Sequence, residues 1–163
     1  MRIIQNLQMT LGEQSIKDIK FNPKSRDDIP KILKGLQYIY ITPEIREEVF
    51  LVLQEIIPTS KKDKNRKADP KKGRKGMEQW RILVLGALRL GLNENYDRIH
   101  ELANHHDTIR KMLGHSDWAD NTTYELQTIK DNLRLFTPDI LDKINQIVVR
   151  SGHDLLKKKR KIF

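Results

Sequence analysis

The longest apolar run in the chain, Ile82-Leu-Val-Leu-Gly-Ala-Leu88, is closed on each side by an arginine, Arg81 and Arg89. A membrane span needs about 18 or more such residues, so this run must be covered by protein. Extended from Met77 to Leu90, the stretch is apolar nearly all round, the pattern of a helix enclosed by others. It predicts a central helix, and the remaining segments must supply the faces that bury it.

A chain of 163 residues is long enough to build such a core. It contains no cysteine, which excludes disulfide frameworks, Cys-ligated zinc, Fe–S clusters and thiol catalysis. Aromatic residues make up 6%, poor material for a platform that stacks single-stranded bases. The segment Met1-Arg2-Ile3-Ile4-Gln5 has neither an apolar h-region nor a small-residue cleavage site. These features predict a soluble cytoplasmic protein with no membrane partner.

The formal net charge of +9 is unevenly distributed. Thr59 to Gly76 holds nine bases (Lys61, Lys62, Lys64, Arg66, Lys67, Lys71, Lys72, Arg74, Lys75) against Asp63 and Asp69, a net +7. The tail Lys157-Lys158-Lys159-Arg160-Lys161 adds +5, which leaves −3 for the body. Blocks of this density repel themselves and are expected to stay extended until counterions or phosphates neutralise them. They suit phosphate contacts, with Arg66, Lys67, Lys71, Lys72, Arg74, Lys75, Lys157, Lys158, Lys159 and Arg160 as the candidate residues, supplying affinity with little sequence choice.

The charge pattern divides the chain into an N-terminal arm and helical unit (1–58), a basic linker (59–76), a second helical unit (77–156) and a basic tail (157–163). Residues 1–24 lack a sustained period and suggest an extended arm or a hairpin around Gly12. Ser25 with Asp28 reads as a helix cap, Pro30 fits a first turn, and Ile29, Ile32, Leu33 and Leu36 form the apolar stripe. Gln37-Tyr-Ile-Tyr-Ile41 reads either as the end of that helix or as a short strand. Thr42-Pro43-Glu44 and Thr137-Pro138-Asp139 each place threonine at the N-cap, proline at N1 and a carboxylate at N2. Each opens a helix of about 15 residues with one apolar face. In the second unit Gly91 is expected to stop the central helix and Asn95 to cap the next. Asn104-His105-His106-Asp107 is expected to form a turn before a short helix ended by Gly114. Thr122-x-x-Glu125 reads as a capping box opening a helix over Thr122–Phe136. The fold class is therefore mainly α, a helical bundle.

Three consecutive short helices over residues 95–134 form a helix-turn-helix-like pattern, in which one helix enters the major groove. If that helix is Thr122–Phe136, Gln127, Lys130 and Arg134 share its outward face; if it is the shorter one, Thr108, Arg110 and Lys111 would read base edges. His100, His105, His106 and His115 lack the i, i+4 spacing of a zinc pair and read as polar turn residues. No nucleotide-binding glycine loop, nucleophile elbow or converging set of carboxylates nominates a catalytic site.

The stretch Gly73-Arg-Lys-Gly-Met77-Glu-Gln-Trp80-Arg-Ile-Leu-Val-Leu-Gly86 resembles the N-terminal part of bacterial insertion-sequence transposases of the ISNCY group. The same likeness extends through Tyr96-Asp97, Glu101-Leu-Ala-Asn104, Leu113-Gly114-His115 and Leu126-Gln127-Thr128-Ile129-Lys130-Asp131-Asn132. Ile144-Asn145-Gln146-Ile147-Val148-Val149 and Gly152-His153 continue it, as does Pro23-Lys24-Ser25-Arg26-Asp27-Asp28-Ile29-Pro30 near the start. It covers about Arg2 to Leu156, departing at Lys75, where proline is expected, and in its lysine-rich linker. The resemblance implies the DNA-binding portion of a DDE transposase, recognising double-stranded DNA at element ends. Its partners would be that DNA and a second copy or a full-length transposase, at the bacterial nucleoid. It also implies that the metal-holding carboxylates lie downstream of a position like His153. A divalent metal such as Mg2+ then belongs to that further domain, and no cofactor or catalytic residue is assigned to these residues. The alternative from composition is a helical interaction or oligomerisation domain that binds nucleic acid nonspecifically through its basic segments.

Overall fold

The computed structural model describes residues 3–5, 14–56 and 76–162, the last helix by its backbone alone at 155, 156, 159, 161 and 162. Among these residues are seven α-helices: α1 (Asp28–Ile41), α2 (Pro43–Gln54), α3 (Gln79–Leu92), α4 (Tyr96–His105), α5 (Asp107–Met112), α6 (Leu126–Leu133) and α7 (Pro138–Ile162). No strand occurs among them, and a single 3-10 turn spans Ile16–Asp18. Among the described residues no helix is long and apolar enough to cross a membrane.

The apolar run becomes α3, and α1, α2, α4 and α6 pack around it. Trp80, Ile82, Leu83, Leu85 and Leu88 are buried almost completely. The Trp80 ring lies 5.2 Å from that of Tyr40 on α1 and 6.3 Å from that of Phe50 on α2. Helices on both sides of the 59–76 segment therefore share one hydrophobic core. Burying each of these large side chains is worth about 1.5–3 kcal/mol before the cost of ordering them.

The two Thr-Pro helix starts fall where the sequence places them, but the threonines act differently. The Thr42 hydroxyl donates back to the Tyr38 carbonyl (2.8 Å), so one residue closes α1 and opens α2. Thr137 Oγ1 instead accepts from the Ile140 amide at the start of α7 (3.4 Å). At α1 the cap is Asp27, which accepts from the Ile29 amide (3.1 Å), rather than Ser25, whose hydroxyl accepts from the Asp27 amide (3.2 Å). Gln37–Ile41 remains helical because Leu36 and Ile39 continue the buried stripe.

Four further expectations need correction. Gly91 does not stop α3; Asn93 does, in the left-handed region at φ 53°. Gly91 serves close packing, since a Cβ there would lie 2.9 Å from Ile32 Cδ1. The capping box does not form, and α6 begins at Leu126 instead of Thr122. The second Thr-Pro start opens a helix of 25 residues, not about 15. Consequently the basic tail is not extended: 157–162 are the last turns of α7, which carries an apolar face back to the bundle. At the N-terminus, the Ile3 and Ile4 carbonyls accept from the Gln79 and Trp80 amides (2.9 and 2.8 Å), so the arm meets the start of α3. The hairpin expected around Gly12 lies outside the described residues.

Gly86 sits where α3 meets the segment between α6 and α7. A Cβ there would fall 2.5 Å from a ring carbon of Phe136, itself buried. Gly86→Ala gains about 1 kcal/mol of helix propensity, but overpacking a filled core costs about 1–3 kcal/mol. With so close a clash the second term wins. Urea unfolding should show a net loss of up to about 2 kcal/mol.

Candidate nucleic-acid interface

The position of α6 depends on the loop over 113–125. Main-chain groups within 122–124 are occupied by side chains from α4, α5 and the loop itself, and this defeats the local helix signal. Asn104 on α4 accepts from the Tyr124 amide (2.7 Å) and donates to its carbonyl (2.9 Å), which also accepts from His100 Nε2 (2.8 Å). Arg110 on α5 donates to the carbonyls of Ala103 (3.0 Å) and Thr122 (2.7 Å). The Thr122 amide is taken by Asp120 Oδ1 (2.9 Å). A hydroxyl cap is worth about 1 kcal/mol, less than several specific tertiary bonds together.

Behind this segment three side chains form a chain. His115 Nδ1 donates to Asp120 Oδ2 (2.8 Å), and its Nε2 accepts from the Tyr124 hydroxyl (2.5 Å). Burial pushes the His115 pKa down from its ordinary value, against the raising pull of its bond to Asp120, and nearby Arg81 lowers it further. A neutral imidazole fits both bonds, so His115 and Asp120 form a hydrogen bond rather than an ion pair. Partial burial opposes ionisation of Asp120, but hydrogen bonds from Thr122 and His115 overcome it and hold the carboxyl well below the usual range. Burial pushes the Tyr124 phenol up to about 12. These groups brace the loop; a phenol this hard to ionise is a poor nucleophile at neutral pH. The α3 helix secures the loop's beginning, as Trp80 Nε1 donates to the Met112 carbonyl (2.9 Å) and Arg81 Nε to that of Leu113 (3.1 Å).

On the braced α6, Ile129 and Leu133 face the core while Gln127 and Arg134 are exposed and Lys130 is half-exposed. Asp131 lies within this face. It accepts from Gln127 Nε2 (2.7 Å) and stands 4.0 Å from Arg134. Its i+4 spacing from Gln127 was the available signal for this overlooked residue. The carboxylate orients both neighbours but opposes close approach of a phosphate. The alternative set sits on the six-residue α5: Thr108 is half-buried, Arg110 is engaged as a strut, and Lys111 pairs with Asp107 (3.3 Å).

A cleft of about 450 Å³ separates the entrance of α3 from α6, lined by Gly76, Met77, Glu78 and Arg81 opposite Tyr124, Thr128, Asp131 and Asn132. Candidate phosphate residues Arg66, Lys67, Lys71, Lys72, Arg74 and Lys75 lie outside the described residues. Lys157, Lys158 and Arg160 are exposed on the last turns of α7, and Lys159 belongs to the same helix. Of the other histidines, His106 Nδ1 accepts from the Ile109 amide (3.3 Å) and His105 is exposed. Compared with known proteins, the chain matches no family model, no curated protein and no solved structure.

The bracing chain has a definite pH signature. Well above about pH 6.5 His115 is neutral whether the chain is folded or unfolded, and the contribution is complete. As pH falls, the unfolded chain binds a proton that folded His115, with its lowered pKa, still refuses. Stability is therefore lost with falling pH, and Asp120 adds a second loss below about pH 4. The urea midpoint of the native chain should drop between about pH 7 and about pH 5, and by less in His115→Gln.

Proposed function

We propose that this chain is the DNA-binding N-terminal portion of a bacterial transposase of the ISNCY type, recognising double-stranded DNA at the ends of an insertion element. The observation that carries the reading is the place where the +7 segment rejoins the folded body. Gly76 lines the same cleft as Thr128, Asp131 and Asn132 of α6, so a dense source of phosphate contacts leads directly to a helix presenting Gln127, Lys130 and Arg134. Phosphate contacts would fix register there and the outward side chains would meet base edges in the major groove. In this reading α4, α5 and α6 form the helix-turn-helix-like unit. His106 alone joins the first two, and the longer 113–125 connection is held by hydrogen bonds.

Several stretches that carry the transposase resemblance also meet in this region. Met77, Glu78 and Arg81, the Leu113-Gly114-His115 turn, Asn104, and Asp131-Asn132 all border the cleft or brace the loop beside it. Their shared task is to aim α6. Strand cleavage and its Mg2+ belong, in this proposal, to a further catalytic domain acting at the nucleoid.

A binding titration of the whole chain against an element-end duplex and a scrambled duplex, repeated across salt, tests the assignment. Gln127→Ala should erode the preference for the element end about tenfold or more while leaving scrambled binding intact. Lys71→Ala should weaken both duplexes alike and reduce the slope of log K against log salt by about 0.9. Equal affinity for both duplexes in the native chain would leave only nonspecific phosphate binding. One feature favours an interaction module as the second reading: Trp118, 91% exposed on the braced loop, is a residue type enriched at protein-binding hot spots.

A further inference from the structure

The long helix α7 has two faces, and among the described residues one packs against the bundle while the other is exposed. Ile140 and Ile144 are buried, with Leu141, Ile147 and Val148 packed partly against the core. Two ion pairs fix its direction relative to α2: Lys143 Nζ with Glu55 (2.8 Å) and Arg150 with Glu48. Seven residues forward on α7 match seven back on α2, so the helices are antiparallel. Continued in that register, 155 falls opposite Pro43, the first residue of α2, and 157–162 project beyond it.

Along the outward side runs a stripe of exposed residues, Asp142, Gln146, Val149, His153 and Arg160. Their spacing of four, three, four and seven is that of a coiled-coil seam. The stripe begins acidic, carries Val149 at 56% exposure near its middle, and ends basic. Leu51, 64% exposed, lies on α2 between the two residues paired with α7. Within its own chain Asp142 accepts from Gln146, one turn on, at 3.3 Å.

A two-fold interface joins a surface to itself with residue i against j and j against i, and this stripe is complementary to its own reverse. Turned antiparallel about its midpoint, it sets Asp142 against Arg160 twice and Val149 against His153 twice. A parallel arrangement would set like charges together at both ends. The antiparallel copy would also set the projecting basic turns of each chain beside Asp142 near the start of the other's α7.

We propose that α7 is a self-association surface on which a second copy of this chain packs antiparallel, forming a symmetric dimer without nucleic acid. The proposal is independent of the DNA-binding assignment. Sedimentation of the whole chain over a range of concentrations, in the absence of nucleic acid, tests it. The native chain should dimerise. Asp142→Lys and Arg160→Asp should each weaken the dimer about tenfold or more, because each turns two attractive contacts repulsive. The double variant should recover to within about threefold of the native affinity. A chain monomeric to millimolar concentration would overturn the proposal, as would single variants that dimerise like the native chain or a double variant no better than the singles.

Discussion

Enclosure of α3 is the constraint on which this architecture turns. A helix with Trp80, Ile82, Leu83, Leu85 and Leu88 all buried has no face to leave in water, so other helices must cover it on every side. The chain supplies α1 and α2 from before the 59–76 segment and α4 and α6 from after it. Close approach follows from the same demand: Gly86 accepts the Phe136 ring and Gly91 the end of Ile32. Even the N-terminal arm joins in, its carbonyls taking the Gln79 and Trp80 amides.

From that hub the order is passed to α6 through a polar network. Trp80 and Arg81 hold the carbonyls that end α5, while Asn104, His100 and Arg110 hold the main chain that leads into α6. The Asp120–His115–Tyr124 chain fills the space behind with each partner satisfied. Such a network is stable only when complete, because each buried group deprived of its partner costs about 1–3 kcal/mol. It also preorganises the outward face of α6, so less ordering entropy would be lost on docking with a rigid duplex.

The apolar periodicity of the helices was legible in the sequence because it is local. Ile129 and Leu133, Ile99 and Leu102, and the whole of α3 are inward as their spacing predicts. Helix ends were less legible wherever a distant residue competed for the same backbone groups. Thr122 and Glu125 have the right spacing for a capping box, but Asn104, Arg110 and Asp120 claim the main chain there. Thr42 has the right identity for a cap and spends its hydroxyl on the preceding helix. The tail's charge suggested extension; the apolar side of α7 leads into it instead, and helix continues to Ile162. Of the candidate site, Gln127, Lys130 and Arg134 share an outward face as read. The bracing chain was invisible because His115, Asp120 and Tyr124 carry no motif in their spacing, and their roles arise from the loop geometry.

In the proposed reading α6, aimed by this network, is the helix that meets DNA. Amide chemical shifts of the isotopically labelled chain, followed while an element-end duplex is added, address it residue by residue. The largest changes should fall at Gln127, Lys130 and Arg134, with α1 and the buried face of α3 unmoved. Changes confined to the basic segments, with α6 silent, would contradict it.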